Sequence, residues 1–366
     1  MNSSTNALRI SIVAPSTRML GGQSVQADLL MRHWRCDAAV SARFVATDPE
    51  MPALLAWVEG VRYLRTVIRI PFYLAALWRG TRDADIVHIF SASYWAFALA
   101  SVPAWLTARM FKRKTVINYR SGEASDHLRR WRTARSVLER TDCVVVPSGY
   151  LGEVFKAFGL KTQVVPNFVD LDQFQFRPRQ PLRPFMVCPR GFHPYYRVDL
   201  VVRAFSQIQK QVRGAQLCLL GRGPAESQIR NLVENLRLDG VEFVGAVPRT
   251  EIGSAYDRND IFINASWVDN MPVSILEAFA SGTPVVTTAP KGICYIVEHE
   301  RTGLLCDPGD WRALAENALR LLREPDLAHQ IANNAHEESK RYRWENVRSQ
   351  WLDVYRKLLG NIVSDN

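Results

Sequence analysis

The stretch Ser266-Trp267-Val268-Asp269-Asn270-Met271-Pro272-Val273-Ser274-Ile275-Leu276-Glu277-Ala278-Phe279-Ala280-Ser281-Gly282-Thr283-Pro284-Val285-Val286 decides the fold of this chain. A polar loop carrying Asp269, Asn270 and Pro272 opens a short apolar helix that holds one carboxylate, Glu277. Pro272 suits the first helical turn, where its missing N–H would be unbonded anyway, and Asp269 or Asn270 can cap. Gly282 and Pro284 stop the helix, and residues 284–288 resume as a strand. The start of such a helix offers free N–H groups and a partial charge of roughly +0.5, a site for a diphosphate. Glu277 sits about one and a half turns further in, among Ile275, Leu276, Ala278, Phe279 and Ala280. A carboxylate there needs donors: either a core arginine or the two hydroxyls of a ribose.

Outward from this block, short apolar strands alternate with amphipathic helices, the signature of parallel sheets covered on both faces. One set of strands reads at residues 9–14, 86–90, 115–119, 143–147 and 163–166, and a second at 185–188, 215–220, 241–244, 261–265 and 284–288. Between them, residues 171–184 are rich in Pro, Arg and Gln and read as a linker. The expected organisation is an N-terminal domain over 1–170, the linker, a second domain over 185–343 and a C-terminal helix over 344–366. In that last run Trp351, Val354, Tyr355 and Leu358 recur at helical spacing.

With 366 residues and 47% hydrophobic content the chain can fill two ordinary α/β cores, which excludes a disordered chain or a coiled coil. Six scattered cysteines without C-x-x-C spacing argue for reduced thiols in a cytosolic protein, and the polar start of the chain shows no secretory pattern. The net charge of +10 is uneven. Residues 1–170 carry 22 Lys and Arg against 13 Asp and Glu, and the remainder 24 against 23. A one-sided basic surface points to an anionic partner. Around residues 58–78, Arg62, Arg65 and Arg69 interleave with Val61, Leu64, Ile68, Phe72, Leu74 and Leu77, interrupted by Pro71. Three arginines exclude a spanning helix, but a basic amphipathic surface suits the headgroup boundary of an anionic membrane, with charge added from 105–114 and 127–140. The plainer alternative is that the apolar side packs on the sheet.

The spacing from Asp269 to Glu277 resembles the paired-acid E-x7-E element of the retaining glycosyltransferase family 4, in the subset reading D-N-x-P. Pro166-Asn167-Phe168-Val169-Asp170 with Phe174 resembles that family's P-N-x-x-D-x-x-x-F crossover, Gly21-Gly22 its N-terminal glycine pair, and Arg190-Gly191 its phosphate arginine. The resemblance spans nearly the whole chain. It implies an α/β chain of GT-B architecture, with two facing Rossmann-like domains, a cleft between them, and the C-terminal helix crossing back towards the first. In the implied site Glu277 holds ribose, while Asp269 and the backbone of Asn270, Met271, Pro272 and Val273 meet sugar and diphosphate. Arg190 neutralises phosphate, and Gly22 lets the first-domain loop approach. Two departures stand out. Where the family carries K-G-x-D after the phosphate arginine, this chain reads Tyr195-Tyr196-Arg197-Val198-Asp199, with Arg197 the candidate replacement charge, and the family's first-domain histidine is here Arg120, with His127 nearby. The plain reading of Arg120 and Glu123 is a solvated surface pair.

The implied function is retaining transfer from a nucleotide-sugar donor to a saccharide acceptor, lipid-linked or of the cell envelope. It would proceed without metal or cofactor, in the cytoplasm or peripherally on the inner membrane face. The alternative is an inactive binding protein of the same fold. A nicotinamide enzyme is set aside because the fingerprint begun by Gly221-Arg222-Gly223 fails at Glu226. No nucleic-acid recognition motif is present.

Overall fold

The computed structural model describes residues 7–18 and 21–360. The chain divides into two compact units, residues 1–165 with 348–366, and residues 166–347. The first holds a six-stranded sheet ordered β2-β1-β3-β4-β5-β6. Its strands are β1 (Leu8–Ala14), β2 (Val40–Ala46), β3 (Ile86–Ser91), β4 (Lys114–Tyr119), β5 (Cys143–Val146) and β6 (Gln163–Val164), all parallel. β3 is buried at every position, as a strand covered on both faces must be. Two buried histidines complete this core. His88 Nδ1 lies 2.8 Å from the Tyr355 hydroxyl, and burial pushes the His88 imidazole down to about 3. His127 Nδ1 lies 2.9 Å from the Tyr119 hydroxyl and is pushed by burial to about 4.

The second unit holds a parallel sheet ordered β12-β11-β10-β7-β8-β9. Its strands are β7 (Phe185–Cys188), β8 (Gln216–Leu220), β9 (Val241–Gly245), β10 (Ile261–Asn264), β11 (Val285–Thr288) and β12 (Leu304–Cys306). Counted from β7, this is the doubly wound order in which the winding reverses between the first and fourth strands. Ligands of such sheets bind beyond the carboxyl ends of the strands at that reversal. Here it lies between β7 and β10.

β2 and β12 are strands that the sequence reading does not contain, and both are edge strands. β2 exposes Ser41 and Arg43 to varying degrees and so lacks a continuous apolar run, while β12 is only three residues long. Residues 171–184, expected as a linker, lie within the second unit. There the buried Asp260 carboxylate accepts the Arg183 N–H at 2.7 Å and meets Arg177 at 2.5 Å. Burial pushes that carboxyl up, and the hydrogen bonds from Arg183 and Arg177 outweigh it and hold it below its ordinary range. The helix Trp344–Leu358 begins in the second unit, and from Arg348 the chain belongs to the first. Trp351, Val354 and Tyr355 are buried as their spacing predicts.

The helix Arg62–Thr81 runs on through Pro71, which does not interrupt it. One side follows the plainer alternative, with Tyr73 and Leu77 buried. The other carries Leu64, Val67, Ile70, Leu74 and Trp78 exposed, an apolar stripe that the described residues of this unit leave uncovered. Among the described residues no helix is long and apolar enough to cross a membrane.

Candidate functional site

The reversal point of the second sheet is where the chemistry gathers. Arg190 follows β7 by two residues and Ser266 follows β10 by two, so the topology brings both loops to one end of the sheet. Arg190 is buried and forms an ion pair with Asp269. Its guanidinium also reaches Ser274 Oγ at 3.3 Å and Ser266 Oγ at 3.4 Å, and stacks 3.9 Å above the Tyr196 ring. Asp269 Oδ1 accepts the Asn270 N–H at 3.0 Å. Burial pushes the Asp269 carboxyl above its ordinary range, against the opposing pull of Arg190.

The loop ends at Pro272, which sits in extended conformation just before the helix Val273–Ala280 rather than in its first turn. Neither Asp269 nor Asn270 caps this helix, because Asp269 is committed to Arg190 and its own neighbour. All eight helical residues are buried, Pro272 at the N-cap position gives no capping bond, and the Ile275 N–H turns back to Pro272 O at 3.1 Å, which leaves the N–H groups of Val273 and Ser274 for an anion. Asn167 of the Pro166-Asn167 motif fixes the same loop by donating to Met271 O at 2.6 Å. Gly292 fits against it from the other side: a Cβ there would lie 2.3 Å from Asp269 O, so any side chain would push the loop away.

Glu277 finds a half-buried arginine, Arg249, as its ion-pair partner, and the Tyr256 hydroxyl lies 3.0 Å from its Oε2. The same hydroxyl is 2.8 Å from Ser274 O. Arg249 Nε and Nη2, and Arg190 Nε, are buried donors without an acceptor. A guanidinium pays heavily for buried unbonded N–H groups, so both arginines suit a site that receives an oxygen-rich ligand. Sequence reasoning did not find Arg249, Tyr256, Ser274 or Tyr196. Arg249 lies 28 residues before Glu277, and no local pattern joins them.

Arg197 does not supply a charge to the Arg190–Asp269 pair. Its backbone is left-handed, with φ 49°, the conformation suited to the glycine of K-G-x-D, so Tyr196 takes the lysine's place. The Arg197 side chain instead bonds Asp199 at 2.9 and 2.8 Å and lies 3.9 Å over the Trp267 ring. In the first unit, Arg120 is half-buried with its guanidinium 5.2 Å over Phe90, and burial pushes it down to about 9. It is no solvated surface residue. His127 is a core residue that packs near Phe97 and Trp131. Gly22 opens the helix Gly22–Arg35 with open space around its Cβ position. The glycines of Gly221-Arg222-Gly223 serve chain packing: a Cβ on Gly221 would lie 2.2 Å from Arg190 O. All six cysteines are free. Among the described residues no three His, Cys, Asp or Glu gather as a metal-binding set.

Residues 172–338 match the family described as Glycosyl transferases group 1, and residues 20–173 match Glycosyltransferase Family 4. Among curated relatives, an exopolysaccharide phosphotransferase of Streptomyces coelicolor is 34% identical over 50% of this chain and 20% of its own length. The N-acetyl-alpha-D-glucosaminyl L-malate synthase of Bacillus anthracis is 32% identical over 46% and 44%. A GDP-mannose-dependent phosphatidylinositol monomannoside mannosyltransferase of Mycobacterium tuberculosis is 30% identical over 61% and 65%. The chain thus spans less than two thirds of each of these relatives. Among solved structures, sucrose-phosphate synthase from Thermosynechococcus elongatus superposes with a TM-score of 0.77 at 21% identity, over 97% of this chain and 100% of that one. Anabaena HepE in complex with UDP-glucose gives 0.76 at 17%, over 96% and 100%. These likenesses show the fold, GT-B, with two Rossmann-like domains. With two matched families abutting at residues 172–173 and that fold over nearly its full length, the chain belongs to the group 1, family 4 glycosyltransferases.

Proposed function

We propose that this protein transfers a glycosyl group, with retention of anomeric configuration, from a nucleotide-sugar to a saccharide acceptor that is lipid-linked or part of a cell-envelope glycan. The observation that carries this reading is the gathering of Arg190, Asp269 and Glu277 around one uncapped helix start at the sheet's reversal point. Breaking a nucleotide-sugar bond develops negative charge on the leaving diphosphate. Arg190 and the N–H groups at Val273 and Ser274 supply fixed positive charge there, without a metal ion. Glu277 receives the ribose hydroxyls, and Asp269 meets the sugar. HepE, crystallised with UDP-glucose, and the mannosyltransferase, named for GDP-mannose, support a nucleotide-sugar donor in this fold. A panel of nucleotide-sugars screened by thermal shift tests the reading. The true donor raises Tm by mass action, about 2.7 kcal/mol of stabilisation at a hundred times its Kd, and a flat panel sinks it.

An inactive binding protein of the same fold is the second reading, favoured by Tyr196 in the place of a lysine and by the ion pairs that engage both acids. Donor cleavage separates the two: binding without transfer or hydrolysis supports the inactive protein.

We further propose that the first domain works on the cytoplasmic face of an anionic membrane. Most exposed large apolar side chains of the described residues lie between Leu54 and Met110, including Trp57 at 66%, Val67 at 63% and Met110 at 68% exposure. Trp78 meets Phe111 edge to face at 4.7 Å, so the stripe on Arg62–Thr81 adjoins the helix Val102–Met110 with its exposed Leu106. The helix Arg62–Thr81 carries no acid, and Arg79, Arg82, Arg109 and Lys112 around it are exposed. Apolar area with a basic rim fits a bilayer of anionic lipid. Sedimentation with phosphatidylglycerol vesicles is expected to pellet the protein at low salt, and phosphatidylcholine vesicles to leave it in solution. Val67→Glu should abolish pelleting. Recovery of the unsubstituted protein in the supernatant at low salt would remove the membrane from the account.

A further inference from the structure

Contacts within the second domain join the groups that the proposed function assigns to the donor. Glu277 and Ser274 O share the Tyr256 hydroxyl, Ser274 Oγ touches Arg190, and Arg190 pairs with Asp269. With ribose at Glu277 and diphosphate at Arg190, the proposed function assigns the sugar to Asp269 and the loop that carries it. Two residues from Asp269 stands Trp267, which is 50% exposed although its loop is otherwise largely buried.

Two contacts fix this residue, one through its backbone and one on its ring, and a glycine leaves room at the ring edge. Its backbone N–H donates to Tyr195 O at 2.9 Å, which joins the loop after β10 to the loop after β7. The Arg197 guanidinium lies 3.9 Å over one face of the ring and is itself clamped by Asp199. At the ring edge, a Cβ added to Gly309 would come within 3.6 Å of Nε1. The cost of this arrangement is visible at Arg197, a non-glycine residue held at φ 49°. Such strain persists where the surroundings over-determine it, and it clusters at ligand clamps. Tyr195, 42% exposed, is joined to Trp267 by that backbone bond, and its ring stacks on His193 with centroids 5.3 Å apart. A pyranose presents a flat patch of C–H bonds, and a fixed, half-exposed aromatic ring is the surface that patch packs on.

We infer that Trp267, braced by Arg197, is the shelf on which the pyranose ring of the donor's sugar stacks. The inference rests on the reading of Glu277 and Arg190 proposed above. Arg197 is then a positioning residue, acting through the indole, and the departure from K-G-x-D exchanges a flexible glycine for a brace.

Calorimetric titration with UDP-glucose, GDP-mannose, UDP and GDP tests it. Trp267→Ala is expected to weaken the nucleotide-sugar that binds by about tenfold and to leave the matching nucleoside diphosphate unchanged. Trp267→Phe should keep most of the affinity. Arg197→Gly relieves the backbone strain, so its Tm should equal or exceed that of the unsubstituted protein, while the nucleotide-sugar alone binds more weakly. An equal loss for both ligands in Trp267→Ala, or no loss for either, overturns the shelf. Arg190→Ala distinguishes the levels: if it leaves nucleoside diphosphate affinity intact, or if no ligand of the four binds the unsubstituted protein, the diphosphate reading falls and the shelf with it. If it weakens the diphosphate while Trp267→Ala does not discriminate, only the shelf falls.

Discussion

Glu277→Gln is expected to reduce transfer by two to three orders of magnitude while the protein remains folded. A ribose held by a carboxylate in a closed site gains charge-assisted hydrogen bonds, and losing the charge costs roughly 2 to 4 kcal/mol. The substitution keeps the shape of the side chain, and the amide oxygen can still accept from the Tyr256 hydroxyl now 3.0 Å from Oε2. What it removes is the ion pair with Arg249, and a buried guanidinium without its counter-charge is itself costly. Two measurements therefore belong together, transfer rate and Tm. A large fall in rate with a shift of a few degrees in Tm places Glu277 on the substrate. A wholesale loss of folding would assign it to structure, and Arg249→Met with Glu277→Gln then tests the point, since removing both partners relieves the unpaired charge. Full transfer by a folded Glu277→Gln protein would take the residue out of the site.

Arg190→Ala should be worse than any chelator. Transfer is expected to change less than about twofold in excess EDTA and to fall by at least about a hundredfold in Arg190→Ala, in the range seen when one charge-stabilising donor is removed. The reason lies in the burial of the pair. Asp269 is pushed above its ordinary range by burial, with Arg190 as the opposing influence, so removing Arg190 favours the protonated acid and takes both charges from the site. Arg190→Ala combined with Asp269→Asn separates stability from catalysis: the double variant should recover Tm relative to Arg190→Ala and recover no transfer. A stringent need for Mg²⁺ or Mn²⁺, restored by adding back the ion, would show that fixed protein charge does not suffice.

Much of the fold was legible because it depends on short-range pattern. The block from Ser266 to Val286 reads as loop, helix and strand, and folds as such: Val273–Ala280 is helical and Val285–Thr288 is a strand. Every interior strand was found, because its residues are apolar on both faces, and so were the edge strands β6 and β9. β2 and β12 escaped because an edge strand has one open flank and need not be apolar throughout. Helical spacing likewise identified Trp351 and Tyr355, but not that they would enclose His88, 267 residues from Tyr355 in the chain. The same limit governs the site. Asp269, Glu277 and Arg190 are each recognisable in the sequence, but the pairing of Arg190 with Asp269, 79 residues on, and of Arg249 with Glu277, 28 residues on, is not.

Arg197 and the 62–81 helix show what pattern alone leaves open. An arginine near a phosphate motif suggests a phosphate ligand, yet a left-handed backbone at that position turns its side chain onto Trp267 and Asp199. A helix apolar on more than one side satisfies both a core and a surface, and periodicity does not say how wide a face the neighbours cover. Only packing does that, and it leaves Leu64, Val67, Ile70, Leu74 and Trp78 exposed. The sequence by itself determined the class of fold, the family and the acids at the helix start, because these are written in contiguous residues and local periods. The tertiary structure alone decided which arginine faces which acid, which aromatic ring is braced, and which apolar face stays open, because those depend on which distant strands the sheet sets side by side.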